Sequence, residues 1–267
     1  IENNEFKIFY KKLMKKIKKT SPKFSVITVV KNDKLKISNT IKSVLSQSYK
    51  NFEYIVIDGK STDGTYEILS KYKKKIDYLI SEADRGIYYA MNKGVKISKG
   101  EIIIFINSGD LFFKNSLKII NKTFKKDKKI NFVFGTVKRH YMTSTILKHG
   151  FNLNRLKYNF DFATAHSTGF FLKKKFFLKY GFFNTKYKCS ADYDLYYRLL
   201  ITKKINGGFT KKTELIGEVM SGGFSSKVSF LEHLFEETQI RIDNKKNFFI
   251  IILILFNSLI KRFFKFL

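Results

Sequence analysis

The apolar residues of this chain fall in two alternating periods. "FSVITVV" (Phe24 to Val30) is a short β-branched run that predicts a strand, and Ile37, Ile41, Val44 and Leu45 then repeat at helical spacing. "FEYIVID" (Phe52 to Asp58) predicts a second strand, followed by the turn text "GKSTDGT" and a helix carrying Tyr66, Leu69 and Tyr72. "IDYLI" (Ile76 to Ile80) predicts a short third strand. Ile87, Met91 and Val95 mark a helix that Gly100 ends, and "EIIIFI" supplies the next strand. The first half therefore reads β-α-β-α-β-α-β, which implies right-handed crossovers and a mostly parallel sheet with helices on both faces. The unbroken apolar run Ile102 to Ile106 suits a central strand.

The second half is less regular. "NFVFGTV" (Asn131 to Val137), "TGFFL" (Thr168 to Leu172) and "TELIGEVM" (Thr213 to Met220) read as strands. "ADYDLYYRLL" reads as a helix with Leu195 and Leu199 on one face, and from about Ser229 the chain reads as two further helices. Phe6, Tyr10, Leu13, Met14 and Ile17 stand at helical spacing among lysines. The division this predicts is a basic amphipathic helix over 1–22, an α/β domain over 23–228 and a basic, apolar helical tail over 229–267.

Charge changes the picture of partners. The 52 basic residues against 22 acidic ones give +30, a field that attracts nucleic acid, anionic lipid or phosphorylated substrates. No helix-turn-helix, RNA-binding or zinc signature is present, so nucleic acid is not expected. The charge concentrates in the N-terminal segment, where Ile1 to Lys23 holds eight Lys against Glu2 and Glu5, and beside the apolar run Phe248 to Phe256. That run is interrupted by Asn257 and Ser258, and a spanning helix needs about 20 apolar residues, so no crossing is predicted. Two readings of it stay open: a helix lying on an anionic membrane surface, or a helix covering the domain core. The single Cys189 excludes an intrachain disulfide and fits a reducing compartment, and no apolar signal region follows Glu2 and Glu5. The expected location is cytoplasmic, peripheral on the inner face of the cell membrane.

In doubly covered parallel sheets ligands bind beyond the carboxyl ends of the strands. The residues there are Lys31-Asn32, Asp58-Gly59 and Asn107 to Asp110. Asp58 is able to meet a ribose and base, or else Asp58 and Asp63 make Asx-turns and cap the next helix. Glu82, Asp84 and Arg85 precede a helix start, where acids favour the helix dipole. Asp110 is the candidate metal ligand, because Mg²⁺ or Mn²⁺ on a diphosphate takes only one or two hard oxygens from the protein. Asp192 and Asp194 open a helix two residues apart, so at most one faces a given pocket.

These pieces, in this order, resemble the family-two glycosyltransferases, inverting enzymes with the GT-A nucleotide-sugar fold. The matching text is "FSVITVVKN", "SVLSQSYKNFEYIVIDGKSTDGT", "EADRGIYYAMNKGVKISKGEIIIFINSGD" and "SADYDLYYR", from about Lys23 to Leu200. The resemblance implies a nucleoside pocket lined by Thr28 to Val30 and a base and ribose contact at Asp58. It places Asp84, Gly86, Asn92 and Asn107 beside the nucleotide-sugar. It makes Asp110 the ligand of a divalent cation, Mn or Mg, and Asp192 the general base, with His166 and Arg198 as candidates on the acceptor or diphosphate side. Donor and acceptor would be a nucleotide-diphospho-sugar and a hydroxyl of a glycan or lipid-linked molecule, as in enzymes of exopolysaccharide and lipopolysaccharide assembly. Three departures stand out. Asn107 and Gly109 replace acids, Ala191 replaces the Glu that often precedes the base, and Lys31 replaces a common aromatic. They motivate an alternative, a catalytically weak or inactive nucleotide-sugar-binding protein of the same fold.

Overall fold

The computed structural model describes residues 23–158, 163 and 167–263. The helix expected over 1–22 and the candidate His166 lie outside the described residues.

Eleven strands form among the described residues: β1 (Phe24–Val30), β2 (Phe52–Asp58), β3 (Tyr78–Ser81), β4 (Ile102–Phe105), β5 (Leu111–Phe112), β6 (Phe132–Phe134), β7 (Thr136–His140), β8 (Thr145–Lys148), β9 (Phe170–Lys173), β10 (Gly207–Phe209) and β11 (Leu215–Val219). Seven of them build the main sheet in the order β10-β6-β9-β4-β1-β2-β3. Strands β4, β1, β2 and β3 run parallel, and β9 runs antiparallel to its neighbours β4 and β6. The run around Ile104 is central, as its apolar continuity predicts.

Both faces are covered because each strand alternates its side chains between them. On one face Phe24, Val26, Tyr54, Val56, Ile102 and Ile104 pack against α1 (Ile37–Leu45), α2 (Thr65–Lys71) and, through Leu117 and Ile120, a later helix. On the other, Ile27, Val29, Ile55, Ile57, Ile103 and Phe105 pack against α3 (Ile87–Ile97). The later helix is α4 (Ser116–Lys126), and the short α5 (Leu153–Leu156) follows. The second core continues into α6 (Lys175–Tyr180) and α7 (Ala191–Tyr196), which widens into a π-helical stretch over Tyr197–Thr202. Residues of α8 (Phe230–Asp243) close it through Ile240, and α9 (Phe248–Phe263) comes last.

One expected strand is two. "NFVFGTV" divides at Gly135, with β6 in the main sheet and β7 in a second sheet of order β5-β11-β7-β8. A Cβ at Gly135 would lie 2.4 Å from Ile216 Cδ1, so only glycine lets the chain pass between the sheets there. The second sheet begins directly after Asp110 and its strand β11 ends just before Met220, so it stands at the carboxyl edge of β4.

Candidate active site

The edge formed by β1, β2 and β3 is stitched by short polar side chains. Thr28 shares a hydrogen bond of 3.0 Å with the Tyr54 hydroxyl, both fully buried, so its side chain serves the sheet interior. Val30 offers its carbonyl to the Gly59 N–H at 2.9 Å. Asp58, fully buried, accepts the N–H and hydroxyl of Ser61 and the Ser81 hydroxyl at 2.6 Å. It thus fixes the loop after β2 and the end of β3, and Ser61, partly exposed, is the nearer group to solvent. Asp63 caps locally, accepting from Thr65 and from the Lys34 N–H.

Beyond β3, Lys93 joins Glu82 at 2.5 Å and Asp84 at 2.7 Å. The second Asp84 oxygen, Oδ2, is buried without a hydrogen-bond partner. Gly86 precedes α3 with φ +149°, a conformation that favours glycine. Asn92 donates to the Phe183 carbonyl at 2.9 Å and accepts its N–H at 3.0 Å, which ties α3 to the segment leading to Asp192. Its amide is therefore engaged by the protein backbone.

At the end of β4 the chain turns through Asn107-Ser108-Gly109-Asp110, closed by Asp110 N–H donating to the Asn107 carbonyl at 3.1 Å. Gly109 has φ +97°, the value the third residue of such a turn needs, which is a physical reason for glycine here. Thr40 of α1 clamps the turn, donating to the Asp110 carbonyl and accepting the Gly109 N–H, both at 2.9 Å. Ser43 and Gln47 continue that polar stripe, accepting the Phe112 N–H and bracketing the Phe113 carbonyl and Leu117 N–H.

The Asp110 carboxylate is buried. It accepts the Thr168 hydroxyl on Oδ2 and the Met220 N–H on Oδ1 at 2.9 Å. Burial pushes it up to about 6 against the opposing pull of Thr168, Met220, Arg139 and Lys36. Beside it, Asn107 donates to Ser167 at 2.9 Å, while Asn107 Oδ1 and Ser108 Oγ are buried without partners. Among the described residues no three His, Cys, Asp or Glu side chains converge on a metal site. One carboxylate with spare lone pairs and an orphaned amide oxygen still fit a hard cation that takes its other ligands from a diphosphate and water.

Asp192 lies in the first turn of α7, partly exposed. Its Oδ1 accepts the Tyr88 hydroxyl at 3.1 Å and the Tyr193 N–H at 2.9 Å. Burial pushes its carboxyl up to about 6, although both bonds favour the ionised form. Tyr88 also reaches the Cys189 carbonyl at 3.0 Å, and its ring packs on Phe183, which packs on Phe105 of β4. That aromatic chain connects Asp192 to the strand delivering the Asn107–Asp110 turn. From α8, Glu236 accepts the N–H groups of Lys188, Cys189 and Ser190 at 2.6, 3.0 and 2.9 Å. Burial pushes the Cys189 thiol up to about 12, so it is no nucleophile near neutrality.

Arg198 is engaged within the protein: its guanidinium donates to Asp194 at 2.8 Å and to the carbonyls of Tyr180 and Phe182 at 2.7 Å each, closing the end of α6. Several site-shaping residues escaped the sequence reading: Thr40, Tyr88, Thr168, Met220 and Glu236. Only the first had a signal, the polar spacing Thr40, Ser43, Gln47 along an apolar helix.

Residues 25–185 match the family described as Glycosyl transferase family 2. An uncharacterized glycosyltransferase of Rickettsia typhi is 29% identical over 189 residues, which is 67% of this chain and 59% of that protein. The chain thus spans about three fifths of that relative's length. S. aureus TarS 1-349 in complex with UDP superposes with a TM-score of 0.65 at 19% identity, over 82% of this chain and 64% of the TarS 1-349 chain. Mannosyltransferase PcManGT of Pyrobaculum calidifontis, in complex with GDP-Man and Mn2+, gives 0.62 at 16% identity, over 84% and 64%.

Proposed function

Because the chain belongs to glycosyltransferase family 2 and has the GT-A fold, we propose that it moves a sugar from a nucleotide-diphosphate donor to an acceptor hydroxyl, with inversion. The acceptor would be a glycan or a lipid-linked molecule. The observation that carries this reading is Asp192: a residue partly open to solvent whose carboxyl is held by Tyr88 and raised to about 6 fits a general base working near neutrality.

In one step Asp192 takes the acceptor O–H proton as the oxygen bonds to the anomeric carbon. The bond from that carbon to the diphosphate oxygen breaks, and its electron pair leaves with the nucleoside diphosphate. Asp110 and Asn107 would hold a divalent cation, Mn or Mg, which when bound neutralises charge on the leaving diphosphate. Thr40 and Gly109 keep Asp110 in place for that role. Asp58 supports the nucleoside side by fixing Ser61 and Ser81. Screening donor hydrolysis across nucleotide-sugars with Mn²⁺ or Mg²⁺ tests enzyme status and donor class together; turnover of one donor is expected.

A second reading, a nucleotide-sugar binder of the same fold without transfer, is favoured by the lone acid of the turn. Both Asp110 oxygens already accept protein hydrogen bonds. Titration calorimetry with UDP and GDP separates the two. Binding that tightens with Mn²⁺ supports the enzyme, and binding indifferent to metal supports the binder.

A further inference from the structure

The last helix presents an apolar surface that the domain does not use. Among the described side chains of α9 only Ile251 and Ile254 are buried, whereas Phe248, Phe249, Leu253 and Phe256 are 63, 76, 67 and 64% exposed. Neighbouring α8 adds Phe235 at 71%. Exposed apolar surface of this extent on a helix that is apolar nearly all round marks an interaction site. Among the described residues nothing covers these side chains.

We propose that α9 docks on an anionic lipid bilayer, lying in the headgroup region with its phenylalanines in the acyl boundary. Charge decides between the occupants. Exposed Lys245 precedes the helix, exposed Lys261 stands in its last turn, and Phe248–Phe263 contains no acid. A second copy would bring the same cations, within a chain of net charge +30, against themselves. The N-terminal segment, with eight Lys against two Glu, has the wrong sign to complement the patch as well. An anionic bilayer supplies both an apolar layer and a negative one. The uncharged stretch Phe248 to Ile260 spans roughly 20 Å before Lys261 and Arg262, short of a hydrocarbon core of about 30 Å, so this stretch lies in the interface. No helix among the described residues is long and apolar enough to cross.

The pair α8–α9 is not an appendage. α8 buries Ile240 in the core and sends Glu236 to the turn before Asp192, so docking holds the proposed base close to the lipid surface. Lipid binding is read without turnover, and its failure would leave the transferase reading standing.

The test is flotation of the full chain with vesicles of phosphatidylglycerol and phosphatidylcholine at 30:70, and with phosphatidylcholine alone. The chain is expected to float with the anionic vesicles and at least tenfold less with neutral ones. The triple variant Phe249→Glu, Leu253→Glu, Phe256→Glu is expected to lose binding at least tenfold with an unchanged melting curve. Should that variant melt early, Lys245→Glu with Lys261→Glu tests the same surface through charge, with loss of the anionic preference as the supporting result. Absence of wild-type flotation, or flotation unchanged in both variants, overturns the proposal. So does a dimer in sedimentation that the triple variant dissolves while vesicles capture neither form.

Discussion

The carboxylate of Glu236, on α8, accepts the backbone N–H of Ser190 at 2.9 Å, two residues ahead of Asp192 and 46 residues away in the chain. Together with the Lys188 and Cys189 N–H bonds it places a fixed negative charge at the start of α7, where the helix dipole welcomes one. Ala191 directly precedes Asp192, and a carboxylate reaches the same turn from another helix.

Removing that carboxylate leaves three N–H groups without their partner. Glu236→Ala is expected to cost about 1.5–3 kcal/mol of stability, the range for hydrogen bonds to a charged group, and to lower kcat roughly tenfold. Glu236→Gln, which keeps one acceptor oxygen, should recover part of both. Thermal melts and initial rates read the two effects.

Tyr88→Phe removes a hydrogen bond that favours ionised Asp192. The acid limb of kcat/KM, expected near pH 6 in the wild type, should move to higher pH, with the alkaline side unchanged. A pH–rate profile of the two proteins checks it.

Burial raises folded Asp110 from 3.8 to about 6, so the folded state holds its proton more tightly than the unfolded chain does. The stability this contributes is full below about pH 4 and is lost as pH rises through about 6. Asp110→Asn does not titrate, so the melting temperature of the wild type relative to this variant should fall between pH 4 and 7. A bound cation favours the ionised carboxylate, so Mn²⁺ should raise the wild-type melting temperature more at pH 7 than at pH 5 and leave the variant unmoved.

Thr40→Val deletes both hydrogen bonds of the turn clamp while preserving shape. A loss of about 1–3 kcal/mol is expected, because the Gly109 N–H and Asp110 carbonyl keep their burial and lose a partner. Gly109→Ala should cost about 1 kcal/mol or more, since φ +97° strains any residue with a Cβ. Urea unfolding midpoints measure both.

The sequence reading recovered what local pattern encodes. Strands β1, β2 and β4 announce themselves as short runs rich in β-branched and apolar residues bounded by polar turns, and their parallel pairing follows from the helices between them. Asp58, Asp110 and Asp192 were legible as carboxylates at strand ends or a helix start. What each carboxylate touches was not, because the partners come from distant segments: Ser81 for Asp58, Thr168 and Met220 for Asp110, Tyr88 for Asp192. The break at Gly135 was hidden because the residues on both sides favour strand, and only the crossing of Ile216 separates them. Arg198 looked free to meet a substrate, since nothing in its neighbourhood of sequence reveals that the carbonyls of Tyr180 and Phe182 close on it.

The assignment of Asp192 as the base is tested most directly by Asp192→Asn, assayed with the donor that the wild type turns over and a hydroxyl acceptor, alongside calorimetry with the matching nucleoside diphosphate. Nucleotide affinity is expected to stay within about twofold while transfer falls by 10²–10⁴-fold, on the order of what general bases supply. Transfer at the wild-type rate would contradict the assignment.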